Sequence, residues 1–365
     1  MAKRLWRFFL SLPKLLFVAV GLFLASLITH LCALAFPSVA DFVNLRVASL
    51  FRSALGYISS VFPFSLAEIA IVLLPVFLFL LVFFAVRAAR SKEKTKRMLA
   101  FLLSLLLLFY CLFVFTLGIG YASSPLEEKL GYQQTPVDGE SLYQTALWLL
   151  YEAEHLAPEA IPNGEEGTKM PYSYQEMNKA LLTGYKSLAE KTPFLSSMQV
   201  GTKPVALSSL MGYTQITGVY TFFTGEANVC VVYPDYSTVF TAAHEMAHAR
   251  GIAREDEANF TAFLACISAK DSYIRYAGYL NMLQYVYNAL YRADKSLYAK
   301  ISLPPVIEAE FRAYNAVYDK YDNSGIGALS ESINNAYLQA MGTQGTVSYG
   351  LVVNLAVSYY YEQNQ

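Results

Sequence analysis

His244, Glu245 and His248 stand in the run His244-Glu245-Met246-Ala247-His248, an HExxH spacing suited to holding a metal and activating water. On a helix, residues four apart share a face. Two imidazoles then meet as ligands of one ion, and the glutamate beside them reaches a water on that ion. Beyond His248, the run Glu255-Asp256-Glu257-Ala258-Asn259-Phe260 can supply a third ligand. The chain has 4 His, and two of them are in this motif. His155 sits in Glu152-Ala153-Glu154-His155, which reads as a solvated helix face.

The elements around the motif suit that chemistry. Ser237 to Ala243 leads in with Ser and Thr available as caps. Ala242, Ala243, Ala247 and Ala249 favour helix and close packing. Gly251 offers a stop and a reversal. From Glu255 to Ser268 a second helical pattern follows, with Phe260, Phe263, Leu264 and Ile267 as its apolar stripe. A helix, a glycine turn and a second helix would bring Glu255 over the two imidazoles. Just before them, Val219 to Tyr233 is β-rich and broken at Thr224-Gly225. An edge strand beside a metal site can pair with an extended peptide. We expect Gly225 to Val229 to form or border that edge, which makes Gly225, Glu226, Ala227 and Asn228 candidate substrate contacts. An ordinary structural hairpin is the alternative.

Composition divides the chain. Its hydrophobic fraction is 55%, with the excess in the first third. Three apolar runs, about 15–36, 66–86 and 98–120, are each long enough to cross a bilayer core of about 30 Å as a helix. The expected organisation is a membrane domain over 1–120 with three transmembrane helices, then a domain over 121–365. Lys3, Arg4, Arg7 and Lys14 precede the first run, and Arg87, Arg90, Lys92, Lys94, Lys96 and Arg97 lie between the second and third. These positive clusters place the N-terminus and the 87–97 loop in the cytoplasm and the C-terminal domain outside it. Ala33-Leu34-Ala35 and Ser38-Val39-Ala40 resemble signal cleavage sites, but the apolar run is long for a signal, so we read an uncleaved anchor. Residues 37–65 read as an amphipathic helix on the membrane or against the catalytic domain, or as a plain loop. Residues 1–120 hold 12 Lys+Arg and 3 Asp+Glu, and 121–365 hold 15 and 25. An external part so acidic argues against nucleic acid as a partner.

The external part is expected to be mainly α with a small β element. Helical patterns cover 139–157, 173–191, 237–250, 254–270, 272–294, 304–322, 330–341 and 347–361. Tyr273, Tyr276, Tyr279, Tyr285, Tyr287 and Tyr291 form a core helix, or alternatively one wall of a site. Cys230 and Cys266 either pair in an oxidising compartment or stay free and buried, the reading we prefer.

The HExxH pattern with a glutamate on a following helix resembles the gluzincin zinc peptidases, whose third ligand belongs to an ExxxD-type motif. Here Glu255 matches the glutamate and Asn259 stands where Asp is usual. Asn259 can still hydrogen-bond a histidine ligand, more weakly than a carboxylate. Glu257 is the ligand if the register differs. The stretches Phe222-Phe223-Thr224-Gly225-Glu226-Ala227-Asn228-Val229, Gly251-Ile252-Ala253-Arg254 and Ser348-Tyr349-Gly350-Leu351-Val352-Val353 are similar to a narrower group. It is an uncharacterised bacterial family of membrane-anchored, zinc-peptidase-like proteins, catalogued as a domain of unknown function.

The resemblance implies a zincin-like domain, Zn2+ held by His244, His248 and Glu255, and a peptide or protein substrate. Zinc with three protein ligands leaves a fourth position for water. Glu245 would then act as general base. An oxyanion donor is also needed, and Tyr349, Tyr337, Arg250 and Arg254 are candidates. The rival is a catalytically inactive, membrane-tethered binding or sensor module with a structural metal site. Retention of Glu245, which ligation does not need, favours the enzyme. An intramembrane protease is set aside because Arg250, Arg254, Glu255 and Asp256 surround the motif.

Overall fold

The structure is a computed structural model that describes residues 13–133, 135–157, 161–162, 167–322 and 324–364. Its HExxH helix, Asp235–Ala249, is buried from Tyr236 to Ala249. A helix buried all round must be the centre of a core, and its alanines let neighbours approach. The helices Glu255–Ile267, Ser272–Ala293 and Tyr174–Lys191 pack on it, and Gly139–Leu156 packs in turn on Ser272–Ala293. Helix crossings are close at glycines. A Cβ on Gly184 would lie 2.3 Å from the Ala265 carbonyl oxygen, and one on Gly278 2.5 Å from Cys266 Cβ. Cys230 and Cys266 are both free and buried. Tyr273, Tyr276 and Tyr279 are buried in the core, whereas Tyr291 is exposed.

The expected mainly helical fold with a small sheet is present. β1 (Ile161–Pro162) pairs antiparallel with β2 (Thr168–Lys169). A second sheet holds β3 (Thr202–Pro204), β4 (Gly218–Thr221) and β5 (Glu226–Val229) in the order β3-β5-β4. β5 runs parallel to β3 and antiparallel to β4. Gly225–Val229 therefore borders an edge and does not form one: β5 is the central strand, and β4 and β3 flank it. β3 has only three residues and stops at Pro204, too short to register as a strand in the sequence, yet it covers β5.

Two helices, Lys14–Ala35 and Lys92–Tyr121, are long and apolar enough to cross a membrane. The middle apolar run, expected as a third straight crossing, is two helices, Leu66–Val72 and Leu74–Ala88, that meet at 54°. Pro75 lies at the break. It lacks an N–H for the Ile71 carbonyl, and its ring crowds that oxygen. Counted as one broken span, the pair would make a third crossing. The first and last long helices pack parallel: Leu16 lies beside Lys92 and Lys96 near their starts, and His30 Nδ1 is 3.0 Å from the Tyr110 hydroxyl further along.

Residues 37–60 are helical rather than a plain loop: Pro37–Val43, a π-helical turn Asn44–Ala48, and Ser49–Ser60. This segment is inside-out. Asn44, Ala48, Arg52, Gly56 and Ser59 are buried against the protein, while Phe42, Leu50 and Ile58 are exposed.

Towards the C-terminus, the helix expected from 330 begins earlier, as Ser324–Ala340. A 3-10 segment, Gly345–Leu351, precedes the last helix, Val352–Gln363.

Candidate metal centre

The HExxH helix starts after Pro234 with Asp235 in its first turn and has no side-chain cap, so the capping expected from Ser and Thr is not used. It ends in a Schellman turn. Gly251 takes φ +95°, the Ile252 N–H bonds the Ala247 carbonyl at 3.2 Å, and the Gly251 N–H bonds the His248 carbonyl at 2.9 Å. Only glycine adopts that φ without strain. The reversal starts the next helix at Glu255, with Glu255, Asp256 and Glu257 in its first turn, where acidic groups suit the helix dipole.

This folding brings three donors together. His244 Nε2 and His248 Nε2 are 3.0 Å apart, and Glu255 Oε2 is 3.2 Å from the first and 3.4 Å from the second. Ligands about 2.0–2.1 Å from one tetrahedral ion lie roughly 3.4 Å apart. His248 Nδ1 lies 2.7 Å from the Ile252 carbonyl oxygen, so it carries the proton and leaves Nε2 with a lone pair. Two imidazole nitrogens and a carboxylate oxygen face one point, and all three residues are buried. Glu255 Oε2 has no hydrogen bond of good geometry, nor has His244 Nδ1. A cation at that point would satisfy the cluster, and the donor set fits zinc.

The charges agree. Burial pushes the His248 pKa down, but the Glu255 carboxylate more than offsets this and lifts it to about 9. Burial would raise the Glu255 pKa, yet the His248 charge first, and the closeness of both imidazoles, hold it well below the usual carboxylate range. Glu257 lies outside the cluster: it pairs with Arg254 at 2.6 Å and accepts the Leu126 N–H at 2.9 Å.

Glu245 is buried between the metal cluster and β4. Burial raises its pKa, partly opposed by the two imidazoles and by the Tyr220 N–H that it accepts. Gly218 makes room for it: a Cβ there would lie 2.5 Å from Glu245 Oε1. The Cys230 N–H bonds the Thr217 carbonyl at 2.8 Å. Alternation along the β4–β5 register then turns the backbone groups of Gly218 and Tyr220 away from β5. The outer edge of β4 thus faces Glu245.

A cavity of about 1100 Å³ opens here, and His244, Glu245, His248, Glu255, Gly218 and Tyr220 line it. Of the oxyanion candidates, Tyr337 lines the cavity, and the Tyr121 hydroxyl donates to its hydroxyl at 3.3 Å. Arg250 is committed to the Met246 and Met198 carbonyls and stacks 4.1 Å from the centre of the Tyr185 ring. Arg254 is held by Glu257 and by the Tyr121 and Ser123 carbonyls. Tyr349 belongs to the 3-10 segment, and its side chain lies outside the described ones.

The remaining candidate residues are placed as follows. Asn259 lines the cavity and lies beside the Tyr285 hydroxyl; no bond from it to either imidazole is present among the described residues. Glu226, proposed as a substrate contact, pairs with Lys203 at 2.6 Å and caps the Leu66 helix by accepting the Leu66 and Ala67 N–H groups. Gly225 packs on Leu55 and Gly56, while Ala227 and Asn228 are buried in the central strand. Tyr285, one of the tyrosines read as a core helix or one wall of a site, lines the cavity, and Gly218 joins it as a site residue that the motifs do not name. A glycine opening a β-rich run marks a close backbone approach, and that signal pointed to Gly218.

The family model described as "Protein of unknown function (DUF3810)" matches residues 45–357. The chain belongs to this family. No curated protein and no solved structure matches it.

Proposed function

We propose that the protein is a membrane-anchored zinc metallopeptidase that hydrolyses peptide bonds outside the cytoplasm. The observation that carries the reading is the convergence of His244 Nε2, His248 Nε2 and Glu255 Oε2 within 3.0–3.4 Å of one another, with Glu245 beside them. Zinc bound there would supply Lewis acidity, making water nucleophilic near neutral pH and polarising a carbonyl. His244, His248 and Glu255 hold the ion. Glu245 takes the proton of the attacking water and delivers it to the leaving amine. Its raised pKa suits a base that must give the proton back. The outer edge of β4 pairs with an extended peptide and aligns it past Glu245. The Tyr337 hydroxyl is the donor we assign to the developing oxyanion.

The topology reading has support from the parallel packing of the first and last long helices. Leu16 of the first long helix shares a cavity with Lys92 and Lys96, so the basic residues gather at one end, which we assign to the cytoplasm. The ends at Ala35, Leu66 and Tyr121 would meet the catalytic domain on the other side, with the broken pair as the third crossing.

The test is metal content and peptide cleavage by the full chain purified in detergent. We expect about one zinc per chain, lost in His244→Ala and reduced in Glu255→Gln. Glu245→Gln should keep the zinc and lose cleavage of a mixed peptide library by roughly 10²–10⁴-fold. Zinc retained with no cleavage in the wild type would favour the binding or sensor module. A folded chain that takes up no zinc sinks the reading.

A further inference from the structure

The metal site sits at the end of an apolar path that begins in the bilayer. Leu117, near the end of the last long helix, lines the same cavity as His244 and Glu245. The hairpin joining β4 to β5 carries Phe222 and Phe223, which rest on that helix. Phe222 packs on Phe109 and Phe113 at ring distances of 4.9 and 5.4 Å, and Phe223 on Phe109 at 6.0 Å. Phe109 is eight residues before Leu117, roughly 12 Å along a helix. A hydrocarbon core counted as about 20 residues from the basic loop ends near Leu117. The hairpin tip therefore reaches the outer leaflet, and β4 leads from it to Glu245.

The other wall is apolar too. The helix Ser324–Ala340 turns Ile326, Leu329 and Ile333 into the cavity, where they are 47%, 62% and 63% exposed. Open apolar surface of this kind marks a binding face. The Tyr220 N–H is given to Glu245; acyl chains have no use for the remaining outward groups, those of Gly218 and the Tyr220 carbonyl, whereas a polypeptide backbone pairs with them.

We infer that the substrate is a membrane-anchored polypeptide, taken as an extended segment where it leaves the bilayer and laid along β4 from Phe222 to Gly218. This rests on the peptidase reading and adds the substrate class. At about 3.3 Å per residue, the bond cut lies roughly five to ten residues from the anchor. Soluble peptides meet the site without the local concentration that a shared membrane supplies.

The test uses the full chain with zinc in liposomes. A mixed-sequence, internally quenched peptide library is offered free in solution, or fused at either end to an apolar 20-residue helix in the same vesicles. In parallel, Glu245→Gln protein with a photo-crosslinking phenylalanine analogue at position 222 is irradiated with the fused library. We expect cleavage of the fused library at least tenfold faster than of the free one, cuts near the anchor, and crosslinks at position 222. Equal cleavage of free and fused peptides overturns the inference and leaves the peptidase reading intact. Crosslinking without any cleavage keeps the substrate path and removes the peptidase reading. Neither cleavage nor crosslinking overturns both.

Discussion

At the scale of single residues, Gly218 decides whether Glu245 can work. The carboxylate fits only because position 218 has no Cβ: an added one would sit 2.5 Å from Oε1 and 2.8 Å from Cγ of Glu245, and 2.7 Å from Thr241 Cγ2. Gly218→Ala must therefore move the carboxylate or the strand, while the three ligand donors stay in place. We expect zinc content to be unchanged and library cleavage to fall by at least tenfold, since small misplacements of a catalytic group are costly. Loss of zinc in the same variant would mean that Gly218 supports the ligands instead.

Glu310, remote from the metal ligands, makes a pH prediction. It is fully buried. Burial raises its pKa to about 7, although Thr168 and the Tyr276 hydroxyl, at 3.2 Å, donate to it. A carboxyl with a folded pKa above its unfolded value of about 4.3 contributes stability that is full below that value. The contribution is lost as pH rises towards 7, at about 1.4 kcal/mol per unit. Thermal unfolding of the full chain in detergent should show a lower apparent Tm at pH 7.5 than at pH 5, and Glu310→Gln should flatten this slope. An equal slope in the variant would remove Glu310 as its cause.

At the scale of elements, the turn after the HExxH helix is braced by the inside-out helix of residues 37–60. Arg52 donates to the Asn44 side chain and main-chain oxygens, each at 2.8 Å, and to the Arg250 carbonyl at 3.4 Å. Asn44 donates to the Gly251 carbonyl at 2.9 Å. Arg52 is buried, which pulls its pKa down to about 10. Arg52→Ala leaves these acceptors unpaired and is expected to cost about 2–4 kcal/mol. Arg52→Lys should not rescue it, because an ammonium cannot bridge the same acceptors. An apparent Tm within a degree of wild type in Arg52→Ala would refute the brace.

The sequence made the two helices of the site legible, because HExxH, Gly251 and Glu255 are local signals with a fixed geometric meaning. It did not make the strand order legible. β3 is three residues long and pairs in parallel with a strand more than twenty residues later, so no local pattern announces that β5 is covered and β4 is free. Nor did it disclose Arg52, whose charge in an apolar stretch reads equally as a solvated group. Only the contact with Arg250, 198 residues away, gives it a role.

At the scale of the whole molecule, composition divides the chain near residue 120, but the contacts do not. Lys203 Nζ donates to the Ser59 and Phe64 carbonyls at 2.7 and 2.9 Å. Glu68 accepts the Ala206 and Leu207 N–H groups at 3.0 and 2.7 Å. Gly120 lies so close to the metal-site turn that a Cβ would come within 2.8 Å of both the Gly251 carbonyl oxygen and Ala253 Cβ. The family match likewise runs through the division, from residue 45 to 357. A fragment of residues 121–365 would lose the Arg52 brace, expose Met198, Val200 and Tyr220 where Leu117 packs on them, and leave Glu226 paired with Lys203 alone. Each buried polar group left unpaired costs about 1–3 kcal/mol, so several at once draw heavily on the roughly 5–15 kcal/mol that domains have in reserve. We therefore expect the fragment to aggregate or to bind well under one zinc per chain, while the full chain in detergent binds about one. A monomeric, cooperatively unfolding fragment with a full zinc complement would demonstrate that the membrane helices serve only as an anchor; the fragment's failure, beside an active full chain, would make them part of the metal site's scaffold.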